Sequence, residues 1–377
     1  MSRNDYTKQA EKRQRIKKMT LVVGVDIGKE FNAVGLMNKE GEVLGRYPKV
    51  YNSRTGFEYF VRVIEEAKAK YGMQEVLIGL EPTGHYWRKL AYFSMRRGYE
   101  VKFIRTTALK HQRELDESSS AKNDKKDAIT VANITREGKY IDTVIESGLV
   151  RQLRTLSKVR ERLIKHNVRA KNTLHAALDD YFPELRKIFK TMYSRGLWAV
   201  LEKCPFPEDV LRMRLSTLEK QIGKASRLKK AKAVQKATAL KKAASESIGL
   251  KDIGEADKYR IKLCLDEVKR TERMVKEIKK ELTGLLDQIP YSELLLSIPG
   301  VGPLSVAVFL GELGSPDNFH NARQIVKYAG YDPMENDSGF RLGRRFISKK
   351  GRWLMRKFLF FMSMQVIVRS EWFKAYY

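Results

Sequence analysis

The sequence predicts an α/β domain followed by an all-α region, and three observations lead there. From about Leu21 to Tyr140, short apolar β-branched runs alternate with stretches of helical periodicity. From about Glu146 to Gln288 the pattern is helical and highly charged. From about Tyr291 onward, apolar helical stretches flank a glycine-rich turn.

Leu21 to Gly28 reads as a buried strand, and Phe31 to Met37 as its hairpin partner across Lys29-Glu30. Glu42 to Tyr51 is expected to form a third strand. Thr55 to Lys70 carries Phe57, Phe60, Val61 and Ile64 at helical spacing. A strand at Val76–Leu80, a helix from about Trp87 to Arg97, a strand at Val101–Ile104 and a helix from Thr106 follow. Asp116 to Asn123, with three consecutive serines, reads as a loop. Asp124 to Glu137 reads as a helix ended by Gly138. Three strands followed by αβαβα is the order of a ribonuclease-H-like domain.

In the helical region, Leu149, Leu153, Leu156, Leu163 and Val168 hold one apolar stripe, and Val268, Val275, Ile278, Leu282 and Leu285 hold another. They form either a long antiparallel hairpin or a dimerising coiled coil. Between them, Lys220 to Lys242 contains no acidic residue. Like charges weaken an isolated helix and are relieved by phosphates, so Lys229, Lys230 and Lys232 are expected nucleic-acid contacts. The domain boundaries read as a basic tail (1–20), the α/β domain (21–145), the basic helical region (146–290) and a C-terminal helical domain (291–377).

The chain of 377 residues carries 74 Lys+Arg against 45 Asp+Glu, a net charge of +29. Such an excess points to a polyanionic partner, first of all nucleic acid. The longest apolar stretch, Phe358 to Val368, is interrupted by Ser363 and Gln365 and is too short to span a bilayer, so no membrane partner is expected. Cys204 and Cys264 lack metal-ligand spacing, which suits a reducing cytoplasm.

Against this basic background four acids stand out. Asp26 ends the run Leu21–Val25, Glu81 ends the run Val76–Leu80, and Asp124 and Asp127 share one helix face at a three-residue spacing. Clustered carboxylates repel unless neutralised, and hard divalent cations with oxygen ligands are the usual neutraliser. Two such ions about 4 Å apart activate both the attacking and the leaving oxygen of a phosphodiester. Each acid alone also has an ordinary reading: an Asp after a strand forms turns, and Asp124 caps a helix with Asp127 in its first turn.

In the last region, Ile298-Pro299-Gly300-Val301-Gly302-Pro303 reads as the turn of a helix-hairpin-helix, where Gly300 and Gly302 let backbone N–H groups approach a DNA phosphate; an ordinary αα turn is the alternative. Ser338, beside Gly339 in a loop, is followed by Arg341, Arg344 and Arg345, and then by Lys349. A serine flanked by guanidinium forks can attack a phosphodiester, although loop serines also cap turns.

Taken together, these residues resemble the DEDD transposases of the insertion-sequence one-ten family, the RNA-guided recombinases that include the pilin-gene invertases. Val23-Gly24-Val25-Asp26-Ile27-Gly28-Lys29 resembles the first acidic motif and Leu80-Glu81-Pro82-Thr83-Gly84-His85-Tyr86 the second. Lys122-Asn123-Asp124-Lys125-Lys126-Asp127-Ala128 resembles the paired third and fourth. Ile298–Pro303, Phe309–Gly314, Tyr328–Gly330, Asp337–Gly339 and Ile347–Gly351 are similar to the C-terminal transposase domain. In the first motif, Ile27-Gly28-Lys29 lacks the serine that many members carry before the lysine. The chain stops at Tyr376-Tyr377 within what reads as a continuing helical region, where relatives often extend further.

The resemblance implies a RuvC-like N-terminal domain whose Asp26, Glu81, Asp124 and Asp127 bind one or two Mg2+ ions. It implies Ser338 as nucleophile of a covalent phosphoserine intermediate, with acids and serine supplied by different subunits of a dimer or tetramer. It further implies target and donor DNA, a structured guide (bridge) RNA and a nucleoid-associated location. Lys122, Lys125, Lys126, Arg341, Arg344, Arg345 and Lys349 join the expected nucleic-acid contacts. A metal-dependent junction resolvase using activated water is the alternative from the acids alone.

Overall fold

A computed structural model describes residues 3–82, 84–116, 124–142, 148–191, 193–334, 343 and 345–376. It divides into two compact units, Met1–Ile145 and Glu146–Tyr377.

The first unit is a mixed α/β layer structure. Its elements run α1 (Arg3–Arg15), β1 (Thr20–Asp26), β2 (Phe31–Met37), β3 (Lys49–Tyr51), α2 (Arg54–Tyr71), β4 (Glu75–Leu80), α3 (Trp87–Arg96), β5 (Glu100–Ile104), α4 (Thr106–Asp116), α5 (Asp124–Arg136) and β6 (Tyr140–Ile141). The strands make one sheet in the order β3-β2-β1-β4-β5-β6. β1 pairs antiparallel with β2 and parallel with β4, and β4 pairs parallel with β5.

Side chains alternate across a strand, so β1 supplies both cores. Leu21, Val23 and Val25 face α2 and α3 through Phe57, Phe60, Ile64 and Leu90. Val22 faces the other way, with Leu77, Ile104, Val131 and Ala132. The start of α2 is set by Ser53, whose hydroxyl accepts from the Gly56 N–H at 3.0 Å, and its end by Gly72 in left-handed backbone.

Three details differ from the sequence reading. The third strand is only Lys49–Tyr51; before it Val43 bridges Met37 and the Leu44 N–H reaches the Leu36 carbonyl (2.8 Å), but left-handed backbone at Gly45 (φ 76°) and the missing N–H of Pro48 break a continuous ladder. The basic tail contains a helix, α1, anchored where Gln9 and Lys12 donate to the carbonyls of Glu137 (3.2 Å) and Tyr140 (2.8 Å). The two-residue edge strand β6 is too short to leave a periodicity signal. The serine-rich loop lies, from residue 117, outside the described residues.

The second unit is helical. Its long helices α6 (Gly148–Tyr181) and α12 (Glu255–Leu286) pack antiparallel: Leu153 shares a core with Leu282 and Leu286, Asn167 meets Thr271, and Tyr181 meets Asp257. The hairpin arrangement is thus made within one chain. Val168, expected in the stripe, is 51 % exposed, and Asn167 takes the buried position beside it. Five short helices separate the pair: α7 (Leu185–Ile188), α8 (Arg195–Leu201), α9 (Pro207–Arg212), α10 (Leu215–Ser226) and α11 (Lys230–Ser245). Phe182, Phe189, Phe206, Ile222 and Leu240 are buried in their core.

After α12 come α13 (Ser292–Leu296), α14 (Pro303–Leu313), α15 (Ala322–Ala329), the hairpin β7 (Pro333–Met334) with β8 (Phe346–Ile347), α16 (Trp353–Arg369) and α17 (Glu371–Tyr376). Their core joins Val306, Leu310 and Met355 to Leu153 and Leu282 of the long hairpin. Among the described residues no helix is long and apolar enough to cross a membrane.

Candidate active site

The four acids are placed by a row of three glycines. Gly24 pairs with Gly35 across β1–β2 and with Gly79 across β1–β4, so bare backbone runs over three adjacent strands. Helix α5 lies in that groove. A Cβ on Gly24 would stand 2.1 Å from the Ala128 carbonyl oxygen, one on Gly35 2.7 Å from Ile129 Cδ1, and one on Gly79 1.8 Å from Thr135 Oγ1. Glycine is required here because a helix backbone approaches a sheet backbone with no room for side chains.

Two residues beyond Gly24 is Asp26, and two beyond Gly79 is Glu81. A spacing of two keeps a residue on the same sheet face, so both lie on the face that α5 covers. They also stand level: Val25 pairs with Leu80 in parallel register, and each acid follows its member of that pair. The first turns of α5 carry Asp124 and, one residue before the Gly24 contact point, Asp127. Glu81 and Asp127 are 7 % and 3 % exposed. Asp26 is half-buried.

The loop after Asp26 is pinned by a residue that the sequence reading did not single out. Asn32 is fully buried; its Oδ1 accepts from the Gly28 N–H (3.3 Å) and its Nδ2 donates to Asn52 Oδ1 (2.8 Å). Asn52 in turn donates to the carbonyls of Gly28 and Lys29. An asparagine inside an otherwise apolar strand is the signal that marked it.

Oxygen-only donors at the carboxyl ends of adjacent parallel strands suit a hard divalent cation in kind, and ligands in open α/β sheets bind at that edge. Among the described residues, no three His, Cys, Asp or Glu side chains close into a group that holds an ion. The Asp124 side chain lies outside the described ones. A cavity of about 590 Å³ opens at the opposite edge, lined by Arg15, Lys17, Glu65, Glu75 and Arg97. Its carboxylates are already engaged, Glu75 by Lys17 (2.5 Å) and Glu65 by Lys68 (3.1 Å) and Tyr99 (2.8 Å).

Of the expected nucleic-acid contacts, Lys126, Lys229, Lys230, Lys232, Arg345 and Lys349 are exposed. Lys230 and Lys232 belong to α11, which turns Ala233, Ala237 and Leu240 inward. Gly300 has left-handed backbone (φ 89°), and a Cβ there would stand 2.8 Å from the Gln365 carbonyl oxygen, so close packing on α16 explains this glycine. Gly302 precedes α14 with open space around its Cα. The first helix of this turn, α13, has only five residues. Ser338, Arg341, Arg344 and Lys122 lie outside the described residues, as does the Lys125 side chain; β7 and β8 bracket the segment that carries Ser338.

Residues 23–183 match the DEDD model of the IS110 type, described as a transposase, and residues 292–377 match the model described as transposase of the IS116/IS110/IS902 family. The transposase for insertion sequence element IS1111A of Coxiella burnetii is 22 % identical over 352 residues, covering 93 % of this chain and 78 % of that protein. The 44.8 kDa protein of insertion element IS116 from Streptomyces clavuligerus is 25 % identical over 351 residues, with 91 % and 83 % covered. The IS117 mini-circle protein of Streptomyces coelicolor is 22 % identical over 352 residues, with 90 % and 83 % covered. The two matched models and the relatives named as transposases define the class of protein, a DNA transposase. The chain belongs to the IS110 family of DEDD transposases.

Proposed function

We propose that the chain is an RNA-guided DNA recombinase of an insertion sequence, cutting and rejoining strands through a phosphoserine. The observation that carries the reading is the common level of Asp26 and Glu81 on the face covered by α5, at whose start Asp124 and Asp127 stand. This arrangement fits a ribonuclease-H-like, RuvC-like domain. The four acids would hold one or two Mg2+ ions, which when bound polarise the scissile phosphate.

Ser338 Oγ attacks the phosphorus; the bond to the leaving sugar oxygen breaks, and that oxygen takes a proton to become a free hydroxyl. The serine proton passes to a carboxylate or to water. In the second step, a hydroxyl from the partner strand attacks the phosphoserine and releases the serine. The ester conserves one phosphodiester-like linkage between the two steps, so joining needs no external energy source. Arg341, Arg344 and Arg345 hold the phosphate through forked hydrogen bonds. Lys122, Lys125, Lys126, Lys229, Lys230, Lys232, Gly300, Gly302 and Lys349 contact target and donor DNA or a structured guide RNA. A dimer or tetramer supplies acids and serine from different copies, in the nucleoid.

The test has two arms. Nucleic acid co-purifying with the protein from its host is sequenced, and a discrete structured RNA is expected. Strand exchange is then run with Mg2+ on denaturing gels. Asp127→Asn and Glu81→Gln are expected to slow cleavage about a hundredfold or more, and Ser338→Ala to abolish the protein–DNA adduct. An adduct that survives Ser338→Ala removes the nucleophile assignment. Cleavage with no adduct in the wild type would favour activated water instead.

A further inference from the structure

We infer that Glu312 and Arg352 are positioning residues for strand transfer, tying the register of the β7–β8 hairpin to helix α14. The inference rests on the reading above, in which the segment between these strands carries the nucleophile.

The hairpin is the end of a longer zipper. The Tyr328 carbonyl accepts from the Arg352 N–H (3.0 Å), the Gly330 carbonyl from the Lys349 N–H (3.0 Å) and the Asp332 carbonyl from the Ser348 N–H (2.8 Å). Beyond these, Pro333 pairs with Ile347 and Met334 with Phe346. Two glycines let the chains touch: a Cβ on Gly351 would stand 2.5 Å from the Tyr328 carbonyl oxygen and 2.6 Å from the Gly330 nitrogen. Arg356 clamps the same turn by donating to the carbonyls of Ala329 (2.8 Å) and Lys349 (3.3 Å). A slip of one residue in such a ladder turns every later side chain to the opposite face. A group that holds the first rung, at Arg352, therefore helps to hold the register of the two strands that bracket the nucleophile-bearing segment.

Arg352 carries that rung, at the open end of the hairpin. Its Nε donates to the Tyr328 hydroxyl at 2.6 Å, and its Nη1 lies 3.5 Å from Glu312 Oε2. Glu312 sits near the end of α14, 3 % exposed, with Oε1 lacking any hydrogen-bond partner. Arg154 of α6 donates to the Glu312 and Gly311 carbonyls, so the anchor itself is fixed to the long hairpin. A buried carboxylate with one long contact and one bare oxygen is a poor stabilising device, since desolvation exceeds the attraction it gains. Replacing both partners would therefore be near neutral, whereas removing the carboxylate alone leaves the Arg352 guanidinium without that partner and costs some stability. What the charge provides is alignment of a guanidinium whose other donor holds Tyr328.

The test uses the full chain carrying Glu312→Gln or Arg352→Lys, with thermal melting, DNA affinity, adduct formation and joint formation each measured. Glu312→Gln is expected to melt somewhat below the wild-type temperature and, assayed well below its own melting point, to bind DNA equally yet form joints about tenfold or more slowly. Arg352→Lys, which keeps the charge but loses the bond to Tyr328, is expected to slow joints similarly. Wild-type rates in both variants, or a loss that only follows a lowered melting temperature, would overturn the inference. Joint formation is scored apart from the adduct. If Ser338→Ala keeps its adduct, the nucleophile assignment falls, while the rate of joints in Glu312→Gln still decides the positioning role.

Discussion

Gly24 and Ala128 meet backbone to backbone: a Cβ on Gly24 would stand 2.1 Å from the Ala128 carbonyl oxygen and 2.3 Å from the Ala132 nitrogen. The contact fixes the distance between the strand that ends in Asp26 and the helix that carries Asp127. Gly24→Ala must therefore lift α5 off the sheet. Its cost is expected near about 1–3 kcal/mol, the range for overpacking, with cleavage lost well beyond the loss of folded protein. Gly284→Ala, on α12 with nothing within 4 Å of its Cβ, is the matched control and is expected to be neutral or slightly stabilising. Urea unfolding beside strand-cleavage rates checks both.

Asp142 joins α1 to the sheet edge. It receives Lys12 Nζ at 2.7 Å and Lys102 Nζ at 2.6 Å, and Lys102 also reaches Glu100 at 2.8 Å. Burial by itself pushes the Asp142 carboxyl up, but the hydrogen bonds and charges of Lys102 and Lys12 outweigh it and hold the group below its ordinary value. A depressed folded value means that stability is present above the unfolded carboxylate pKa, about 3.9, and is lost as pH falls through the folded one. Asp142→Asn is expected to remove this part of the acid limb. The protection factors of α1 and β6 amides, with the intrinsic pH dependence of exchange divided out, should no longer fall between pH 6 and pH 3 in the variant. An unchanged profile in the variant would exclude Asp142 as its source.

Asn167 is a buried polar residue that links α6 to α12. Its Nδ2 donates to Thr271 Oγ1 (2.6 Å) and to the Val268 carbonyl (3.2 Å). Asn167→Ala is expected to destabilise the second unit by about 1–3 kcal/mol. Asn167→Leu combined with Thr271→Val should recover most of that, because replacing both partners leaves no orphaned group. A double-mutant cycle in chemical denaturation measures the coupling; strict additivity would mean that this pair contributes nothing to the hairpin.

Much of the first unit was legible in the chain itself. Val22–Val25, Val34–Leu36 and Ile78–Leu80 are short and apolar, which is what strands buried on both faces need, and Ser53 and Gly72 mark α2 at both ends. The strand between Glu42 and Tyr51 was overestimated because Gly45 turns left-handed and Pro48 has no N–H to give a continuous ladder. Val168 read as a core position, yet Asn167 takes that place, since periodicity counts apolar character and cannot see a hydrogen bond waiting across the hairpin at Thr271.

The amino-acid order alone determined which residues carry charge, where β1, β2, β4 and β5 run, and that Asp26 and Glu81 each close an apolar run. It did not determine that they stand together. Gly35, Gly24 and Gly79 look separately like weak points in three strands, and only pairing sets them side by side as a groove for α5. Glu312 and Arg352, 40 positions apart, likewise met only after folding. Local pattern is a property of neighbours along the chain, whereas a site is made by contacts between backbones that sequence separation does not record.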